Sequence, residues 1–169
     1  MAPLPERKHT RLKDYDYSRD GVYFLTICAA ENRCLFARVC VGGGVLDAPR
    51  VTLTQYGAAI QDRLEEMDRV YGHVALLKYV IMPNHIHILL QVADGPSGTP
   101  APTKRNRANQ TIPAFVSTLK RMTNRTCGVS LWQRGYHDHV VRNEADYLRI
   151  WNYIDTNPAK WAEDQYYVP

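Results

Sequence analysis

Two histidines separated by a single isoleucine, His85 and His87, lie inside the apolar stretch KYVIMPNHIHILL that runs from Lys78 to Leu90. On a strand, residues two apart project from the same face, so the two imidazoles stand side by side while Ile86 and Ile88 point the other way. Such a pair is either two satisfied polar groups on a half-buried strand or two arms of a divalent-metal site. Two nitrogens seldom make a catalytic centre by themselves, so the second reading needs a further ligand. A second H-x-H, His137 and His139 in YHDHVVR, is a rival on another predicted strand.

A further oxygen can come from the segment NEADYLRIWNYIDTNP. At 3.6 residues per turn, Tyr147, Leu148, Trp151 and Ile154 gather on one side of a helix, while Tyr153 shares the opposite side with Asp146, Arg149 and Asn157. Tyr153 is therefore off the apolar stripe. Asn157 follows four residues later, so its amide is directed to the same place as the phenol. A hydroxyl nucleophile and an oxygen ligand on one helix face have the chemistry to meet two histidines on a sheet.

The elements that must position these groups follow from local pattern. GVYFLTICA (21 to 29) has the β-branched and aromatic composition of a buried strand, and LFARVCV reads as a weaker one with the glycines at 42 to 44 as its turn. From Thr52 to about Val70, Leu53, Tyr56, Ala59 or Ile60, Leu64 and Met67 recur at helical spacing. VALLKYVIM and HIHILLQV form a hairpin through Pro83-Asn84. A helix runs from an early Pro113 to Gly128 with Phe115, Val116, Leu119 and Met122 as its buried stripe. Asn143 caps the last helix, with Glu144 and Asp146 in its first turn and Pro158 as its limit. This order predicts an α+β, ferredoxin-like antiparallel sheet with helices on one face and an added C-terminal helix.

The chain has 169 residues and is 45% hydrophobic, enough for one ordinary domain with a sizeable core. We expect an extended basic and aromatic arm over residues 1–20, one domain over 21–161 with a flexible loop at 93–110, and a tail over 162–169. A net charge of +4 permits a phosphate-bearing partner without demanding one. Cys28, Cys34, Cys40 and Cys127 have no metal-binding spacing and suit a reduced, cytoplasmic setting. There is no signal-peptide core and no run of apolar residues long enough to span a membrane, so no membrane partner is expected.

MPNHIHILL, LWQRGYHDHVVRNE and YIDTNPAKW, together with RLKDYDYSRDGVYFLTICAAENRCLF and the helix FVSTLKRMT, resemble the HUH single-tyrosine transposases, and most of all the REP-associated tyrosine transposases. The resemblance covers most of the chain except 93–110 and 38–50. It implies an RNA-recognition-like sheet on which His85 and His87 bind Mg²⁺ or Mn²⁺, with Tyr153 as nucleophile on the C-terminal catalytic helix. It puts Asn157 where relatives place a third polar ligand, and gives His139 an auxiliary place. The implied activity is cleavage and rejoining of single-stranded, hairpin-flanked DNA through a 5′-phosphotyrosine, by a monomer or homodimer.

For DNA contact the sequence offers Arg11, Lys13 and Arg19 on the arm, beside Tyr15 and Tyr17 that can stack on bases, and Lys120, Arg121 and Arg125 on a helix. Two other functions stand beside this one. A metal hydrolase of the cupin kind would want a glutamate soon after His87, where the sequence has Ile88-Leu89-Leu90-Gln91. A noncatalytic or domesticated nucleic-acid-binding domain would keep the sheet and let the histidines decay, against which stand the intact His85, His87 and Tyr153.

Overall fold

The computed structural model describes residues 15–40, 49–93 and 110–168. Its strands are β1 (Gly21–Cys28), β2 (Ala37–Cys40), β3 (Arg50–Leu53), β4 (Val74–Ile81), β5 (His85–Val92) and β6 (His137–Val141). The helices are α1 (Gln55–Val70), α2 (Thr111–Cys127) and α3 (Glu144–Thr156), followed by a 3₁₀ turn at Pro158–Glu163. Four strands make an antiparallel sheet in the order β4-β5-β1-β6, the ferredoxin-like order expected from the sequence.

The pleat divides the sheet into two covered faces. Tyr23, Leu25 and Ile27 of β1 join Ile86, Ile88 and Leu90 of β5 beneath Ile60, Leu64 and Met67 of α1 and Ile112, Phe115 and Leu119 of α2. The other face carries Leu89 against Ile150 and Ile154 of α3, with Phe24 and Val80 alongside. A strand covered on both sides has no reason to alternate, which is why HIHILL reads as a continuous apolar run. Its register places Thr26 opposite His87 and Cys28 opposite His85, so the histidines lie on the α3 face. Lys78 of β4 fastens α3 to the sheet by lying 4.0 Å over the Trp151 ring and 2.6 Å from Asp155.

Three expectations shift. The helix expected from Thr52 starts at Gln55, because Thr54 is its N-cap and accepts from the amides of Tyr56 and Gly57 at 3.2 Å each. Thr52 and Leu53 instead pair with Arg38 and Ala37 in a separate β2-β3 ladder, and Leu53 reaches the core from there. In α3 the buried residues are Ile150 and Ile154, whereas Leu148 is 51% exposed. Tyr153 thus adjoins the buried stripe rather than opposing it. In α2, Ile112 and Thr123 complete the buried face, and Met122 is only half-buried. The glycine turn at 42–44, residues 94–109 of the loop, and the arm through residue 14 with Arg11 and Lys13 lie outside the described residues.

Gly57 has a steric role. A Cβ there would sit 2.1 Å from the Phe36 carbonyl oxygen, a backbone atom that cannot step aside. Gly57→Ala is therefore expected to cost about 3 kcal/mol, read as a lowered midpoint in thermal or urea unfolding.

Candidate active site

The face shared by β1, β5 and α3 holds a cleft of about 530 Å³. His87 lines it and His85 is buried beside His87, with their Nε2 atoms 3.0 Å apart. His87 Nδ1 is 2.9 Å from the Thr26 hydroxyl on the neighbouring strand, and Phe24 stacks on its ring at 5.2 Å between centroids. The Tyr153 hydroxyl lies 3.2 Å from His87 Nε2, and its ring contacts His87 and Phe24 edge-on. Helix α3 thus brings its tyrosine onto the histidine pair as the helical spacing suggested.

Asn157 ends α3 and is buried beside the same site. Its amide N–H donates to Asp164 Oδ2 at 2.7 Å, while its carbonyl oxygen is buried without a hydrogen-bond partner among the described residues. Asp164 also lies 3.4 Å from the Tyr153 hydroxyl. Its ligand atoms and those of His85 and His87 fall within 4.8 Å of one another. Sequence reasoning missed Asp164 and set residues 162–169 aside as a tail. The one local signal was Trp161, an aromatic residue within a polar stretch, which is buried and turns the chain back toward the sheet.

Electrostatics suit a cation here. Burial pushes His85 down to about 4, partly opposed by the Asp164 carboxylate, and burial followed by the nearby His85 drives His87 well below the ordinary histidine range. Both imidazoles are therefore neutral near pH 7, as ligands must be. Burial, then the charge of Asp164, pushes the Tyr153 phenol up to about 12. Adjacent ligands of an octahedral ion with bonds of about 2.1 Å lie about 3.0 Å apart, so the spacing of the two Nε2 atoms fits a hard divalent cation. The orphaned Asn157 oxygen also fits a site meant to hold a further group.

His139 lines the far end of the cleft and bonds Asp146 Oδ2 at 2.7 Å, while Arg149 bonds Asp146 Oδ1 at 2.5 Å. These hydrogen bonds, His139 first, hold the Asp146 carboxyl down to about 2. His137, opposite Thr26 on β6, is exposed and does not line the cleft.

The basic residues expected to touch DNA are distributed differently. Arg19 is exposed in a turn, and Arg121 and Arg125 are exposed on α2, on the far side of the sheet from the cleft. Lys120 instead donates to the carbonyl oxygens of Gln133 and Gly135 at 2.7 and 2.6 Å, tying α2 to the segment before β6. Lys120→Met is expected to lower stability by roughly 2 kcal/mol in a melting experiment while leaving DNA affinity nearly unchanged. Tyr15 and Tyr17 pack edge-on at 5.0 Å and join the core around Tyr23 rather than standing free for bases. Trp132 packs on Phe36 and donates its indole N–H to Thr123, and Gln133 donates to Asn32.

No protein-family profile matches the sequence. An uncharacterized protein of Haemophilus influenzae is 31% identical over 182 residues, spanning 99% of this chain and 96% of that protein. A second protein of the same organism, assigned as a REP-associated tyrosine transposase, is 20% identical over 147 residues, spanning 86% of this chain and 74% of that one. The solved structure of a REP-associated tyrosine transposase bound to a REP hairpin shares the fold with a TM-score of 0.62 at 18% identity, covering 89% of this chain and 73% of that chain.

Proposed function

We propose that this chain is a REP-associated tyrosine transposase-like HUH protein, a metal-dependent endonuclease and strand transferase acting on single-stranded DNA at hairpin-flanked sites. The observation that carries the reading is the Tyr153 hydroxyl 3.2 Å from a buried histidine pair whose nitrogens are spaced for one cation. His85, His87 and Asp164 would hold the ion, Mg²⁺ or Mn²⁺, with Asn157 fastening Asp164 and turning its free oxygen to the same space. The ion supplies charge that polarises the scissile phosphate and offsets the Asp164 carboxylate, the second cause of the high Tyr153 pKa.

The chain's own residues then divide the work. Tyr153 Oη attacks phosphorus, a P–O(Tyr) bond forms, the P–O3′ bond breaks, and the phenolic proton leaves for the departing 3′ oxygen. Asp164 Oδ2 is the acceptor in reach of that proton when the lone pair of His87 Nε2 is committed elsewhere. Phe24 packs edge-on against the phenol, and Ile150 of α3 supplies an apolar part of the cleft wall. The phosphotyrosine retains the energy of the diester, so a 3′-hydroxyl can reverse the step without ATP. A His139–Asp146–Arg149 cluster at the far end offers guanidinium donors to a neighbouring phosphate of the strand.

The test is to incubate the protein with labelled single-stranded hairpin DNA from the flanks of its own gene, with Mn²⁺ or Mg²⁺. The expected product is a denaturation-resistant protein–DNA adduct with release of a free 3′-hydroxyl strand. An adduct that forms equally well in chelator overturns the metal dependence, and the absence of any adduct overturns the nuclease reading.

A further inference from the structure

Asn84 closes the turn between β4 and β5 with its side chain buried, and the bonds of its amide settle which way round it sits. Nδ2 faces the backbone carbonyl oxygens of Tyr166 at 2.7 Å and Asn32 at 3.2 Å. Carbonyl oxygens only accept, so the group facing them is the NH₂. Oδ1 is thereby turned to His85 Nδ1 at 2.9 Å, and it too only accepts. The His85 proton must then reside on Nδ1, which leaves a bare lone pair on Nε2. That is the nitrogen facing His87.

The same amide reaches the last part of the chain. Its bond to the Tyr166 carbonyl holds a residue whose own amide donates to Asp164 Oδ1 at 2.7 Å, and whose ring lies 4.6 Å from that of His85. On the other side, Asn32 adopts a left-handed conformation with φ 54°, and its carbonyl takes the second Asn84 hydrogen bond. Such a backbone state is uncommon outside glycine, although asparagine tolerates it better than most.

We infer that Asn84 is a positioning residue that assembles the cation site from two directions: it fixes the tautomer of His85 so that Nε2 is the ligating atom, and it anchors the C-terminal segment that delivers Asp164. The part concerning the cation rests on the metal-dependent function proposed above. The part concerning the tautomer rests on hydrogen-bond geometry alone.

The experiment compares the full chain with Asn84→Ala and Asn84→Asp. Two-bond ¹⁵N–¹H spectra of the imidazoles report the tautomer in the absence of metal, and the electron paramagnetic resonance signal of free Mn²⁺ reports affinity. In the unaltered chain His85 should be wholly the Nδ1–H form. Asn84→Ala should show both tautomers and bind Mn²⁺ about 10- to 100-fold more weakly, the usual effect of losing a ligand's supporting partner. Asn84→Asp keeps the acceptor and loses both donors, so it should retain the tautomer yet still bind Mn²⁺ more weakly because Asp164 is released. This variant also carries the test if Asn84→Ala fails to fold. An unchanged His85 tautomer in Asn84→Ala, or Mn²⁺ affinity unchanged in both variants, overturns the inference. If the unaltered chain binds no Mn²⁺ while the tautomer still shifts in Asn84→Ala, the cation reading fails and the orienting role of Asn84 stands.

Discussion

Tyr153→Phe is expected to eliminate the covalent protein–DNA adduct while hairpin binding and folding survive. The substitution removes one oxygen and keeps the ring, so the edge-on contacts of residue 153 with His87 and Phe24 remain. The hydroxyl contacts it removes are long, 3.2 and 3.4 Å, so stability should fall by about 1 kcal/mol or less. The docking of α3 is independent of that oxygen, because Ile150 and Ile154 pack against Leu89 and Lys78 pairs with Asp155. Chemistry, in contrast, loses its nucleophile. The loss of a dedicated nucleophile lowers turnover by on the order of 10⁶ in a well-studied hydrolase, and the Thr26 hydroxyl, which also meets His87, does so at Nδ1, the other ring nitrogen. Denaturing gels should show no adduct, and fluorescence anisotropy should show hairpin affinity close to that of the unaltered chain. An adduct that persists would transfer the role to another residue, Tyr166 being the nearest alternative by its ring contact with His85.

How much of this site was legible in the sequence depends on which physical signal carried each residue. His85 and His87 were readable because strand periodicity is rigid: residues two apart must share a face, and the register opposite Cys28 and Thr26 confirms that they do. Tyr153 and Asn157 were readable because one helix places them a turn apart. Asp164 was not, since it follows a 3₁₀ turn in which Lys160 departs from helical angles, and no period links it to the residues it meets. Its neighbour Tyr166 lies in the stretch set aside as a tail, yet its ring packs on His85 at 4.6 Å and its carbonyl oxygen accepts from Asn84. Thr52 and Leu53 misled for the opposite reason. Their spacing extended a helical stripe, yet the Thr54 cap and the β2-β3 ladder won, because a cap satisfies orphan amides and the stripe before it satisfies none. The tyrosines of the arm misled because aromatic composition does not distinguish a stacking platform from a core. Tyr17 is buried against Tyr23.

Cations stand on both sides of the sheet. The exposed guanidiniums of Arg121 and Arg125 are on α2, behind the sheet, whereas Arg149 and Lys160 line the cleft with His87, Asp164 and the phenol. On the proposed function, counterion release from a phosphate backbone would draw on the guanidiniums, and bond cleavage on the histidine pair, Asp164 and the phenol. A substitution confined to the histidine pair should therefore uncouple the two.

His85→Ala is the substitution that makes this separation measurable. It deletes a fully buried ring packed between Tyr166 and Trp161, removes Nε2 from the ligand set, and leaves Asn84 Oδ1 without its donor. The unpaired acceptor and the void should cost roughly 2 to 3 kcal/mol, visible as a lower unfolding midpoint. Mn²⁺ affinity should fall by at least about 100-fold, since loss of a ligand outweighs the 10- to 100-fold loss that follows removal of a ligand's supporting partner. Adduct formation should drop with it, because the Asp164 charge that raises the Tyr153 pKa would no longer be offset by a cation. Hairpin affinity should change little, as His85 is fully buried and the substitution touches neither Arg149 at the cleft nor the exposed Arg121 and Arg125 of α2. Raising Mn²⁺ should restore part of the activity if the remaining His87 and Asp164 still hold the ion weakly. Cleavage at the unaltered rate would exclude His85 from the metal site, and loss of hairpin binding in step with cleavage would place the strand's main anchor inside the cleft.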